Sequence, residues 1–80
     1  MRGFIMVKMH VVRQHMEYLL DGLALTKDRL MIHLKHRGIP PTLLKIIHDR
    51  LEGHYMPQRS DLTLYKPSEH EEWILVVPPQ

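Results

Sequence analysis

Apolar positions along this chain fall into patterned stretches divided by turn-forming residues. From Val12 the spacing is helical: Val12, Met16, Leu19, Leu20 and Leu23 recur at i, i+4, i+7, i+8 and i+11, one face of a helix. A second helix is predicted from Thr26, a good N-cap, with Asp28 in the first turn and Leu30, Met31 and Leu34 as its apolar stripe. Lys35, His36 and Arg37 then stand where cations suit the helix dipole, and Gly38 closes the element. Proline holds the residue before it extended, so Ile39-Pro40-Pro41 turns the chain. A third helix is expected over Thr42–Glu52, with Leu43, Leu44, Ile46, Ile47 and Leu51 on one broad arc and Gly53 at its exit. Leu62-Thr63-Leu64-Tyr65 and Trp73-Ile74-Leu75-Val76-Val77 read as a β-hairpin, ended by Pro78-Pro79. The second of these runs is apolar at every position, so both of its faces call for cover. Phe4 to Val12 suits a strand and the start of a helix equally.

The expected fold is therefore α+β: three helices followed by a C-terminal β-hairpin, with an extra N-terminal strand or helix. Eighty residues make one domain with a small core. Residues 12–77 form it and 78–80 are a tail. Residues 1–11 are an N-terminal segment, either a dimerisation element or residues carried over from an expression vector.

Composition narrows the class. The absence of cysteine excludes a disulfide framework and thiolate metal sites and fits a reducing compartment. No apolar run approaches the roughly 18 residues that span a bilayer, so no membrane is expected and the cytoplasm is the default location. The net charge of +2 is unevenly spread: residues 1–59 carry +5 and residues 60–80 carry −3. A basic body seeks phosphate or acidic protein surface.

The stretch LTKDRLMIHLKHRGIPPTLLKIIHDRLEGHYM, residues 25–56, resembles the central helices of winged helix-turn-helix regulators. Thr26, Leu30, Leu34, Gly38-Ile39, Thr42, Ile47, Leu51 and Gly53 carry the resemblance. With residues 62–77 as the wing, it covers residues 12–77. It implies a small transcription regulator that binds double-stranded DNA, the second helix bracing a third that enters the major groove. In that arrangement Lys45 would donate to guanine, Asp49 would accept from cytosine, and Thr42 or His48 would meet bases or phosphate. Lys27 and Arg29 would meet phosphates at the helix start, with Arg50 on the flank of the third helix and Lys66 on the wing. Asp49, Glu52 and the wing-tip acids Glu69, Glu71 and Glu72 run against a basic reading face.

The same element order supports a second reading, a non-enzymatic protein-interaction module, adaptor or inhibitor, acting as a homodimer without DNA. Its motive is apolar surplus at Phe4 to Val12, Leu43, Ile46 and Trp73 to Val77, since exposed apolar patches mark interfaces. Trp73 and Leu51 are expected in the core. Phe4, Tyr18, Tyr55, Tyr65 and Trp73 are too scattered in sequence for a base-stacking platform and read as core or interface residues.

Seven histidines raise the question of a metal. His33 and His36 share a helix face at i, i+3, but His10, His15, His48 and His54 stand at no ligand spacing, so surface histidines are the expectation and no cofactor is implied. The cluster His70-Glu71-Glu72 has no nucleophile or phosphate loop with it, and no enzyme is expected.

Overall fold

A computed structural model describes residues 3–78. The elements run β1 (Ile5–Val12), β2 (His15–Leu20), β3 (Leu23–Leu25), α1 (Lys27–His36), α2 (Pro41–Leu51), β4 (Leu62–Ser68) and β5 (Glu71–Val76). The strands form one antiparallel sheet in the order β3-β2-β1-β5-β4. Both helices lie on the same side of it, and one cluster of buried side chains joins helices to sheet.

The three-helix winged arrangement is overturned. Residues 12–23, read as a helix, are the end of β1, all of β2 and the start of β3. Along β2 the burial alternates, with Tyr18 and Leu20 enclosed and Glu17 and Leu19 half-buried, a period of two. The turns around it close that question. Arg13 and Gln14 both have positive φ (50° and 71°), as do Asp21 and Gly22 (52° and 80°). Two consecutive residues of this kind make the two-residue hairpin connection whose twist matches that of paired strands, and Asp-Gly is a favoured sequence for it. The N-terminal segment is likewise no appendage. β1 is the middle strand, paired with β2 through Met9↔Tyr18 and with β5 through Val7↔Ile74. Ile5, Val7 and Met9 point into the core. Of the expected terminal segments, Met1, Arg2, Pro79 and Gln80 lie outside the described residues.

The remaining elements stand where the pattern puts them. Thr26 caps α1, its Oγ1 accepting from the Arg29 amide at 3.3 Å. Leu30 and Leu34 are fully enclosed against the sheet. After Arg37 the chain leaves the helix, the Ile39 amide donating back to the Leu34 carbonyl at 3.2 Å and the Ile39 side chain entering the core. Pro41 starts α2 at a position where its missing N–H costs nothing. Leu43 and Ile47 are buried beneath α2, with Leu44, Ile46 and Leu51 packed at the margin. Arg50 reaches from α2 to Glu72 at the start of β5 (2.6 Å, both side chains largely enclosed), clamping the helix end to the sheet. The hairpin β4–β5 pairs Leu62↔Val76 through Tyr65↔Trp73 and then slips register before Ser68↔Glu71.

Candidate functional site

One side of the sheet is roofed by α1 and α2, and no described element covers the other. Strand alternation decides what that open side presents. On β5, Ile74 and Val76 turn inward, so Trp73 and Leu75 turn outward. On β1 the outward positions are Met6, Lys8 and His10, between the inward Ile5, Val7 and Met9. Register lines these up across the strands: Met6 is opposite Leu75, which is opposite Thr63; Leu19 is opposite Lys8, then Trp73, then Tyr65. The result is a shallow apolar surface floored by Met6, Trp73 and Leu75 and walled by Tyr65 and Thr63. Met6 and Tyr65 remain 44% and 61% exposed. An aromatic–aromatic cross-strand pair such as Tyr65–Trp73 is itself a sheet-stabilising contact.

The charges on this face sit in its middle and at one end. Lys8 Nζ lies 5.3 Å from the Trp73 ring centroid and 3.0 Å from Glu71. The ammonium thus holds a ring face and a carboxylate together, and its own charge is answered within the face. One row further, His10 stands between Glu17 on β2 and Glu71 on β5. Its Nδ1 is enclosed with no hydrogen-bond partner among the described residues. The apolar end and the acid–histidine row are thereby separated along the strands.

Trp73 is not a core residue, which corrects the sequence expectation; Leu51 does pack against the core. Of the aromatic residues, Tyr18 is buried, and burial pushes its phenol above the usual 10.0, against the lowering influence of nearby Lys27. Tyr55 is 84% exposed on the segment after α2. Tyr65 and Trp73, eight positions apart in sequence, become neighbours only through the hairpin.

The residues expected to meet DNA are arranged differently. Lys45, His48 and Asp49 share the outer side of α2, where Lys45 Nζ lies 3.3 Å from Asp49, and Thr42 is exposed at the helix start. Lys27, at the start of α1, pairs with Glu52 at the end of α2, and His48 lies 3.5 Å from the same carboxylate. The hydrogen bond from Lys27 holds Glu52 below its ordinary 4.5 and raises the lysine in turn. Arg50 is turned to Glu72, away from that row. Arg29 is exposed on α1, and Lys66 is exposed on β4 in a different element. The structure therefore gathers Lys27, Lys45, His48 and Asp49 into one network with Glu52, in which cations and carboxylates balance. A surface that neutralises phosphates needs a cationic excess.

No protein-family profile matches the chain, and no solved structure does. A curated relative is similar: UvrABC system protein B of Ureaplasma parvum serovar 3 is 31% identical over 70 residues, covering 86% of this chain. The chain spans about a tenth of that relative's length. Family membership does not follow from so small a share.

Neither edge of the sheet offers much to a partner strand. β3 is three residues long. β4 has a register slip after Tyr65, followed by Lys66 and Pro67, the features that discourage edge pairing. His33 lies 3.8 Å from Asp21, which Arg37 also holds at 2.6 Å, and the described residues contain no group of three or more potential metal ligands. No described helix is long and apolar enough to cross a membrane. Met6, Trp73 and Leu75 fall within the apolar stretches that the interaction reading singled out, and Tyr65 among the aromatics read as core or interface; what the sequence did not show is that they share one face. The signal that pointed towards Trp73 and Leu75 was the uninterrupted apolar run Trp73–Val77.

Proposed function

We propose that this chain is a non-catalytic protein-interaction module that docks through the open face of its sheet. The observation that carries the reading is the outward row Met6–Leu75–Thr63 beside Lys8–Trp73–Tyr65, apolar apart from the Thr63 and Tyr65 hydroxyls and one internally answered lysine, and uncovered by any described element. A wide apolar face on a small domain is costly to leave in water, at roughly 25 cal/mol per Å² of apolar surface. A contiguous apolar patch is the usual mark of an interaction surface. Protected edges favour contact through the face over strand addition.

The open face is poorly made for nucleic acid. Lys8 is paired with Glu71, while Glu17 and Glu71 flank His10, so phosphate meets as much repulsion as attraction. A photoreactive side chain at Tyr65 tests the reading in living cells, with the same group at Lys45 as comparison. Adducts to another polypeptide chain are expected from Tyr65 and not from Lys45. Absence of adducts at Tyr65, or equal yields from both sites, refutes the docking face.

A further inference from the structure

The geometry points to a second docking site, a groove between α1 and β3 that takes an acidic protein segment carrying apolar side chains. It lies on the helix side of the sheet and is independent of the open face. Leu23 and Leu25 stand opposite Leu20 and Tyr18, both buried, so they share the inward side of the sheet. β3 is an edge strand, however, and α1 covers it incompletely. Leu23 is 47% exposed, and Ile32 on α1 is 58% exposed. With Leu25, Arg29, His33 and His36 they line a cleft of about 510 Å³. That volume is in the range of small-ligand clefts, so it accepts a few side chains of a partner and not a folded surface.

The ionisable side chains lining this cleft are all bases, and no carboxylate lines it. Asp21, at the neighbouring turn, is already held by Arg37 at 2.6 Å, with His33 3.8 Å away. Arg29 and His36 have no carboxylate partner among the described residues. Arg29 is also misplaced by the local rules of a helix. It is the third residue after the Thr26 cap, where the helix dipole favours an acid and a glutamate would complete a capping box. An exposed, unanswered cation there works against the helix, and a carboxylate brought by a partner answers it. The guanidinium fork suits that task, since it grips a carboxylate through two parallel hydrogen bonds. Nucleic acid fits less well, because phosphates leave Leu23, Leu25 and Ile32 in water, whereas apolar side chains of a protein segment cover them.

Selection of random short peptides displayed on phage against the full chain reads the preference directly. Enriched sequences are expected to combine Asp or Glu with Leu, Ile or Phe. Fluorescence anisotropy of one such peptide then compares variants. Arg29→Glu and Ile32→Ser each weaken binding by roughly tenfold or more, as loss of a charge-assisted hydrogen bond or of a buried aliphatic side chain does. Lys45→Glu, on the outer side of α2, and Tyr65→Asp, on the open sheet face, leave it unchanged. Because Arg29→Glu supplies the capping-box residue, thermal melts should show no loss of stability, which separates lost affinity from unfolding. No enrichment, enrichment of basic or uncharged sequences, or binding indifferent to both Arg29→Glu and Ile32→Ser overturns the assignment. Displacement of the peptide by duplex DNA, with an affinity that falls steeply as salt rises, also overturns it and makes the groove a phosphate contact. Cross-linking from Tyr65 reports the open face separately, so either site can fail without the other.

Discussion

Gly22→Ala distinguishes the hairpin at residues 15–25 from a helix by the sign of its effect. Gly22 has φ of +80° and follows Asp21 at +52°, and a Cβ built on Gly22 meets no atom within 4 Å. Sterics with neighbours therefore contribute nothing, and the backbone alone sets the magnitude. Forcing an alanine into the left-handed region costs roughly 1–2 kcal/mol. Removing glycine's freedom from the unfolded chain returns roughly 0.4–1 kcal/mol. The net expectation is a loss of about 1 kcal/mol. In a helix the same change would add about 0.8–1 kcal/mol, because alanine is the better helix former. For a domain of this size about 1 kcal/mol moves Tm by roughly 4–8 °C. Thermal melts followed by circular dichroism, with urea midpoints as a second measure, should show Tm falling by about that amount. Gly22→Asn should lose less, since asparagine tolerates the left-handed region. A rise in Tm for Gly22→Ala refutes the turn, and with it the β2–β3 pairing.

Leu34→Ala empties a fully enclosed site between α1 and the sheet and should cost roughly 2–5 kcal/mol, read as a lower urea midpoint; a loss under about 1 kcal/mol would contradict the burial. Lys45→Glu removes the pair with Asp49 and leaves like charges on α2, a cost of a few tenths of a kcal/mol in thermal melts; a loss above about 1 kcal/mol would contradict the exposed placement of Lys45. Duplex DNA at low salt should bind neither form, since the outer row of α2 is charge-balanced; affinity falling steeply as salt rises would reinstate that row as a phosphate contact. Acid should destabilise the fold from about pH 4.5 downward. Glu52 lies below its ordinary 4.5 through Lys27, and Asp61 below 3.8 through Arg59, so each contributes stability above its unfolded value and loses it as pH falls through the folded one. Melts between pH 7 and pH 3 measure this, and Lys27→Met should flatten the part due to Glu52. Both pairs are exposed, so high salt should also shrink the effect.

Several features of this chain were settled locally. Thr26, Asp28 and Gly38 bound α1 because cap, dipole and left-handed exit act within a turn of the residues that supply them. Pro40-Pro41 start α2 for the same reason, and the β-branched and aromatic content of residues 62–65 and 73–77 suffices for a hairpin. Residues 12–23 read as a helix because Val12, Met16, Leu19, Leu20 and Leu23 fit a 3.6-residue period, whereas as strands they divide between the two faces of the sheet. Asp21-Gly22 carried the deciding turn signal, but it reads equally as a weak helix end. Arg13-Gln14 carried none, since neither residue favours positive φ.

Tertiary structure decided the rest. β1 becomes the middle strand only by pairing Ile5 with Val76, across nearly the whole chain, and no window of sequence encodes such a contact. The same pairing decides which face of β5 the helices cover. The apolar run Trp73–Val77 announced that two faces wanted cover; only the placement of α1 and α2 on one side determined that Ile74 and Val76 are core while Trp73 and Leu75 face outward. The candidate site is a product of strand register, which sums contacts distant in sequence, and local pattern has no access to that sum.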